Sequence, residues 1–221
     1  MNVGVLLAAG ASTRMKSPKP LVKWKGQSFL AHGTRALWAA CDVVIVVLGS
    51  NATVVSRAVE KEFTELAESG ALTPVLHAAR DKGARDLELR FETNAAWKKG
   101  MFSSVQVGLA AAVRLKPASI LLLPVDHPEV RGETVAAMAD MMAEAVESFG
   151  GAKAAFPYAL VPRFKGHRGH PLALSPALAR TIAKDKVSVD LGDAVRRAAR
   201  LVGYVDVTDG GVIRNRNTPK G

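Results

Sequence analysis

The stretch Val3-Gly4-Val5-Leu6-Leu7-Ala8-Ala9-Gly10-Ala11-Ser12-Thr13-Arg14-Met15-Lys16-Ser17-Pro18-Lys19-Pro20-Leu21 decides the reading of this chain. Val3 to Leu7 is apolar and largely β-branched or leucine, without polar alternation, which is how a strand buried on both faces of a parallel sheet reads. The run dissolves into the small residues Ala8, Ala9 and Gly10 and then into a basic segment holding Arg14, Lys16 and Lys19. In an open α/β sheet, ligands bind outside the carboxyl ends of the strands, so the residues just after the run are the candidate site. Gly10 lets the backbone come close to a ligand, loop amides can face phosphate oxygens, and Arg14 and Lys19 add mobile positive charge. Chemically this is a polyphosphate cradle. It contains neither G-x-x-x-x-G-K-[ST] nor G-x-G-x-x-G, which argues against a P-loop kinase and a dinucleotide dehydrogenase.

Further along, Val43 to Leu48, Leu87 to Phe91 and Ile120 to Val125 read as buried strands, and Tyr204 to Val207 as a late one. Helical patterns lie between and after them, at Phe29 to Ala40, Thr53 to Glu68, Phe102 to Leu115, Glu133 to Phe149, Pro176 to Lys184 and Asp193 to Arg200. Ser50, Asn51 or Thr53 would cap the second helix, and Ser175 followed by Pro176 is a start signal for the fifth. Met138, Met141 and Met142 fit the apolar face of the fourth. Alternating strands and helices imply right-handed crossovers, so the expected fold is a three-layer α/β, Rossmann-like architecture with a mainly parallel sheet. Ser69 to Asp86 is the least regular region, read as an exposed excursion or a short extra strand and loop.

The 221 residues suit a single domain with a sizeable core, and a 23% charged fraction with 48% apolar residues excludes a disordered chain. Charge is placed unevenly. Residues 1–35 carry six basic side chains and no acid, residues 36–195 balance at 18 of each sign, and the last 26 residues have six basic groups against Asp206 and Asp209. Basic ends around a neutral middle suit a local anion site if the ends meet in space. They do not suit a nucleic-acid coat, and aromatic residues are only 5%. The single Cys41 reads as a buried free thiol of a reducing compartment. No stretch reaches the length of a membrane helix, and no basic residue precedes Val3 to Ala11 as a signal peptide requires, so a soluble cytoplasmic protein is expected.

After the fourth strand run comes Leu123-Pro124-Val125-Asp126-His127-Pro128, where a strand-end carboxylate between two prolines is placed to bind Mg²⁺ bridging phosphates. Asn94, Trp97, Gly100, Met101, Ser103 and Ser104 form a third patch, with the two serines at a helix start. His167 and His170, three residues apart without a cysteine or acid cluster, do not make a zinc site and read as histidines of a hydrogen-bonded loop.

Four ordered motifs now stand together: Leu7-Ala8-Ala9-Gly10-x-Ser12-x-Arg14-Met15 with Lys19 and Leu21; Asn94-x-x-Trp97-x-x-Gly100-Met101-x-Ser103-Ser104-x-x-x-Gly108-Leu109; Leu123-x-x-Asp126-x-Pro128-x-Val130; and Gly169-His170-Pro171. In this order, across residues 5–219, the chain resembles the MobA-like nucleotidyltransferases, and within them most the molybdenum cofactor cytidylyltransferase type. The resemblance implies Mg²⁺-dependent transfer of CMP from CTP to the phosphate of molybdopterin or its molybdenum form, releasing pyrophosphate, with a molybdoenzyme as recipient of the product. It implies a nucleotide-binding part at about 1–130 and an acceptor-binding part at about 131–221 of one domain. By the same resemblance, Leu7, Ala8, Ala9, Gly10 and Ser12 hold the nucleotide, and Arg14 and Lys19 neutralise its phosphates. Asp126 matches the metal ligand, with Asn217 or Asn215 as a neutral second one. Asn94, Ser103 and Ser104 line the nucleotide and acceptor site, and His170 belongs to a loop over the acceptor.

Two departures bear on the substrate. Lys16 stands where the family usually has glycine, and Asn215-Arg216-Asn217-Thr218-Pro219 replaces the Asp-x-Asp-Thr-Pro of cytidylyl-transferring members, resembling the guanylyl type. Ala9, in place of the guanylyl type's glycine, favours a pyrimidine because its β-carbon narrows the loop, whereas Asn215 and Asn217 are expected near metal and phosphates. The competing readings are a nucleotidyltransferase for another phosphate ester, such as a sugar phosphate or phosphocholine, and a non-catalytic nucleotide-binding regulatory protein. Lys23 and Lys25 read as solvated.

Overall fold

A computed structural model of the chain describes residues 1–10, 17–72, 87–148 and 156–217. In chain order the strands are β1 (Asn2–Ala8), β2 (Lys23–Trp24), β3 (Gln27–Ser28), β4 (Val43–Leu48) and β5 (Glu88–Thr93). They continue with β6 (Ser119–Pro124), β7 (Tyr158–Phe164), β8 (His167–Arg168), β9 (Leu172–Leu174) and β10 (Leu201–Asp206). The helices are α1 (Phe29–Trp38), α2 (Ala52–Glu68), α3 (Met101–Arg114), α4 (Gly132–Ser148), α5 (Pro176–Ala183) and α6 (Leu191–Ala198).

The apolar runs β1, β4 and β6 form the middle of one sheet of order β10-β7-β9-β6-β1-β4-β5, with β8 paired to β7. β1 runs parallel to both neighbours, Val5 in register with Ile45 and with Leu122. Alternation along β1 sorts its side chains between two cores. Val3, Val5 and Leu7 pack with Val105, Leu109, Leu178 and Ile182 on one face, and Leu6 and Ala8 with Leu30, Leu37, Val55 and Met138 on the other. Helices therefore cover both faces, and the three-layer, mainly parallel architecture expected from the sequence is the one present. β5, with exposed Glu88 and Arg90, ends the sheet, as charged edge strands do.

β7 and β9 went unread in the sequence, for identifiable reasons. Pro162 interrupts β7, and proline inside a run argues against a strand. β9 is only three residues long and antiparallel to both β6 and β7. Ser175 does cap α5, accepting from the Leu178 amide at 3.3 Å, with Pro176 in the first turn. Of the three candidates for the second helix, Asn51 stands at the N-cap position before Ala52, in the left-handed conformation and with no side-chain cap bond. α6 begins two residues earlier than its pattern suggested because Asp190 accepts from the Asp193 amide at 2.7 Å. Met138 and Met142 are fully buried, but Met141 is 40% exposed and does not join the core. Cys41 is buried, and burial raises its thiol pKa far out of the nucleophilic range. The Ser69 to Asp86 excursion lies beyond Leu72 outside the described residues. Among the described residues no helix is long and apolar enough to cross a membrane.

Candidate active site

Just beyond the carboxyl ends of β1 and β6 lies a cavity of about 310 Å³, with Leu7, Ala9, Gly10, Lys19, Ser104 and Asp126 on its wall. Asp126 arrives there because β6 ends at Pro124 and the turn is tied back to β1, the Val125 amide donating to the Leu7 carbonyl at 3.0 Å. Lys19 arrives from the other side on a 3₁₀ turn, Lys19–Leu21. Its Nζ donates to Asp126 Oδ2 at 3.0 Å and also to Asn217 Oδ1. The basic ends of the chain thus meet.

The remaining wall comes from the 3₁₀ turn Trp97–Lys99 and the first turn of α3, through Trp97, Lys98, Gly100 and Met101. Gly49 at the end of β4 permits this approach: a β-carbon there would collide with the Ala9 carbonyl and lie 2.8 Å from Trp97 Cβ. Gly100, at φ +100°, sets the sharp entry into α3. The free amides of that 14-residue helix's first turn, together with Lys19 and Lys98, make this side favourable for anions.

Asn94 stands behind the wall, 2% exposed. Its Nδ2 donates to Ser103 Oγ and Ser104 Oγ, both at 2.9 Å, and its Oδ1 accepts from the Ala96 amide at 2.9 Å. Ser103 Oγ donates in turn to the Gly100 carbonyl at 2.8 Å. Asn94 and Ser103 therefore shape the α3 entry, while Ser104 reaches the cavity. Ala8 points away, into the opposite core. Ser12, Arg14 and Lys16 lie outside the described residues.

His170 sits on a second cavity, of about 610 Å³, which shares Gly100 and Met101 with the first. Its walls are mostly apolar, with Phe102, Val105, Leu172, Leu191 and Val202, and Lys99, Arg168 and Arg196 supply positive charge. The His170 ring packs edge-to-face on His127 at 4.9 Å. Burial lowers the pKa of both, that of His170 to about 4, so both rings are neutral at pH 7. Among the described residues neither Nδ1 finds a hydrogen-bond partner, unlike the hydrogen-bonded loop expected; His170 is held by its backbone amide, which donates to the Val212 carbonyl at 2.9 Å. His167 is exposed. No group of three or more His, Cys, Asp or Glu able to hold a metal occurs among the described residues.

Sequence reasoning missed Lys98, Glu129 and Arg216. Glu129 binds Arg214 and Arg216 at 3.0 and 2.8 Å, and those pairings span more than 80 positions, so no local spacing signals them. Lys23 is not simply solvated: its Nζ bonds the buried Glu62 at 2.6 Å. Lys25 keeps its exposed reading, resting over Trp24 at 4.6 Å.

A Rossmann-like sheet with a basic, helix-entry cavity at its strand ends is the framework of a nucleotidyltransferase. Residues 4–201 match the MobA-like NTP transferase domain, and the chain belongs to that family. Comparison with curated proteins finds no match. Among solved structures, Rv0371c from Mycobacterium tuberculosis is 22% identical with a TM-score of 0.66, covering 99% of this chain and 94% of that one. Rv0371c has also been solved with manganese, at a TM-score of 0.55 and 21% identity over 93% of this chain and 88% of that one. A nucleotidyl transferase from Methanothermobacter thermautotroptrophicus is 19% identical, TM-score 0.65, over 100% and 93%. Molybdopterin-guanine dinucleotide biosynthesis protein A from Archaeoglobus fulgidus is 16% identical, TM-score 0.58, over 100% and 94%. At these identities the likeness concerns the fold.

Proposed function

We propose that this nucleotidyltransferase moves CMP from CTP onto the phosphate of molybdopterin or its molybdenum form and releases pyrophosphate. The observation that carries the reading is the pair of cavities meeting at Gly100 and Met101, the smaller holding Lys19, Lys98 and Asp126 on its wall, the larger mostly apolar with Lys99, Arg168, Asp190 and Arg196 among its lining. Among the described residues the first is lined by ones up to Asp126, which supports a nucleotide-binding part at 1–130. The second draws mostly on residues beyond 160, which supports an acceptor-binding part at 131–221, completed by Lys99 to Val105. Its apolar walls suit a flat ring system better than the hydroxyl-rich body of a sugar phosphate or the small headgroup of phosphocholine.

In this reading an oxygen of the acceptor phosphate attacks the α-phosphorus of CTP, and the bond to the leaving pyrophosphate breaks. A phosphate monoester is largely ionised near pH 7 and needs no strong general base. Lys19 neutralises charge developing on the phosphates, and the α3 entry, fixed by Asn94 and Ser103, orients them. Asp126 and Asn217 offer hard oxygen donors, a set that suits Mg²⁺ or the Mn²⁺ seen in the Mycobacterium tuberculosis relative. Bound there, the ion neutralises triphosphate charge. Arg14 and Ser12 are proposed to complete the phosphate cradle.

CTP is favoured over GTP because Ala9, 6% exposed, Gly49 and Trp97 close one end of the smaller cavity tightly. Asn217, the residue shared with the guanylyl type, is held at Lys19 and Asp126, the charged end, and reads the base only indirectly. Incubation with Mg²⁺, each nucleoside triphosphate in turn and molybdopterin tests the reading. Pyrophosphate release is expected with CTP foremost; release with a sugar phosphate but not with molybdopterin would replace the acceptor, and no release with any acceptor would point to a regulatory nucleotide-binding protein.

A further inference from the structure

The segment after β10 crosses the site without regular structure at its end, and three carboxylates or carbonyls pin it. Buried Asp209 accepts from the Arg131 amide, from Thr134 Oγ1 and from the Gly211 amide at 2.8 to 2.9 Å. Gly211 then passes so close to the Glu129 carbonyl that a β-carbon would collide with it. The Glu129 side chain, 13% exposed, accepts from Arg214 Nη1 at 3.0 Å and Arg216 Nε at 2.9 Å. The Arg216 amide donates to the Asp126 carbonyl at 2.8 Å, and its guanidinium lies over Trp24 at 5.4 Å. The next residue is Asn217, whose Oδ1 accepts from Lys19.

An irregular segment loses about 1 to 2 kcal/mol of backbone freedom per residue when ordered, so its place depends on such anchors. A largely buried carboxylate serving two guanidiniums is a far stronger anchor than a surface pair. We propose that Glu129 is a positioning residue for the metal and triphosphate end of the site: it touches neither, but through Arg216 it holds Asn217 beside Asp126 and Lys19. The inference rests on reading Asp126 and Asn217 as metal ligands.

The test is Mn²⁺ binding to the nucleotide-free protein, followed by calorimetry and by the electron paramagnetic resonance signal of free Mn²⁺. Glu129→Gln should weaken Mn²⁺ binding on the order of 10-fold, the usual loss when an outer partner of a metal ligand is altered. In an Asn217→Ala background the same substitution should cause no further loss, because the residue through which it acts is gone. Unchanged affinity in Glu129→Gln, or losses that multiply in the double variant, would overturn the proposal. If Glu129→Gln does not fold, Arg216→Ala carries the same test with the strand-end carboxylate intact. Asp126→Ala separates the two ideas: normal Mn²⁺ binding there removes the metal reading itself, whereas weak binding there beside normal binding in Glu129→Gln removes only the clamp.

Discussion

Lys19 Nζ lies 3.0 Å from Asp126 Oδ2, so two residues 107 positions apart make one ion pair at the strand ends, with side chains 19% and 15% exposed. The ammonium is thereby fixed at the wall of the smaller cavity. Removing such a preorganised charge typically costs on the order of 10² to 10³ in turnover. Lys19→Ala is expected to lose that much in kcat for pyrophosphate release, whereas Lys25→Ala, exposed and away from the wall, is expected to stay near wild type. Equal small losses at both positions would show that only a diffuse field acts.

Asn94 spends its amide on Ser103, Ser104 and the Ala96 amide, all within 2.9 Å, while almost fully buried. Asn94→Ala takes these bonds from Ser104 and the Ala96 amide, while Ser103 keeps its donation to the Gly100 carbonyl, a cost of about 1 to 3 kcal/mol. Urea unfolding should show that loss, and KM for the nucleotide should rise because the α3 entry loosens. A variant of unchanged stability and unchanged KM would show that the network has slack.

Glu62 gives a pH dependence whose sign is fixed. Burial raises its carboxyl pKa, but bonds from Lys23 Nζ at 2.6 Å and the Ser28 amide at 2.8 Å lower it by more, leaving it below the ordinary glutamate value of 4.5. With the native pKa below the unfolded one, the unfolded chain binds more protons in acid. The stability Glu62 contributes is therefore complete above pH 4.5 and lost as pH falls through its native value. Glu62→Gln should be less stable than wild type by about 1 to 3 kcal/mol at pH 7, the gap closing in acid. Thermal melts from pH 7 down to pH 3 measure this; a gap that is constant with pH would mean the carboxylate's charge is unimportant. The β2–β3 hairpin that Glu62 fastens through Lys23 and Ser28 follows directly on the Lys19 turn, so the variant should also raise KM slightly.

Base choice is measured by kcat/KM for CTP and GTP. Trp97→Ala opens the end of the smaller cavity against which Ala9 and Gly49 pack. Its CTP to GTP ratio should fall relative to wild type, and Ala9→Gly should move it the same way but less, since the Ala9 side chain is already 6% exposed and packed. A wild-type preference for GTP, or ratios unmoved by both substitutions, would reverse the assignment.

The central sheet was legible because β1, β4 and β6 are continuous apolar runs, and the strand-end rule then picked out Lys19 and Asp126 before any geometry was known. The order of β7 and β9 was not legible, because Pro162 and a three-residue strand carry almost no pattern. Nor were the partners of Lys23, Glu129 and Arg216. Each pairs with a group 39 to 87 positions away, and a charged residue shows nothing of such a partner in its neighbours. The uneven charge suited an anion site only if the two ends meet, and the fold alone shows Lys19 against Asn217 and Trp24 beneath Arg216.

Transfer of the CMP unit is read by the fate of a label on it. Protein, Mg²⁺, molybdopterin and CTP labelled at the α-phosphorus should yield a labelled pterin dinucleotide of the mass of molybdopterin plus CMP less one water, in step with pyrophosphate release, and Asp126→Ala should yield none while melting like wild type. Label appearing only as free CMP, or a dinucleotide formed equally by Asp126→Ala, would contradict it.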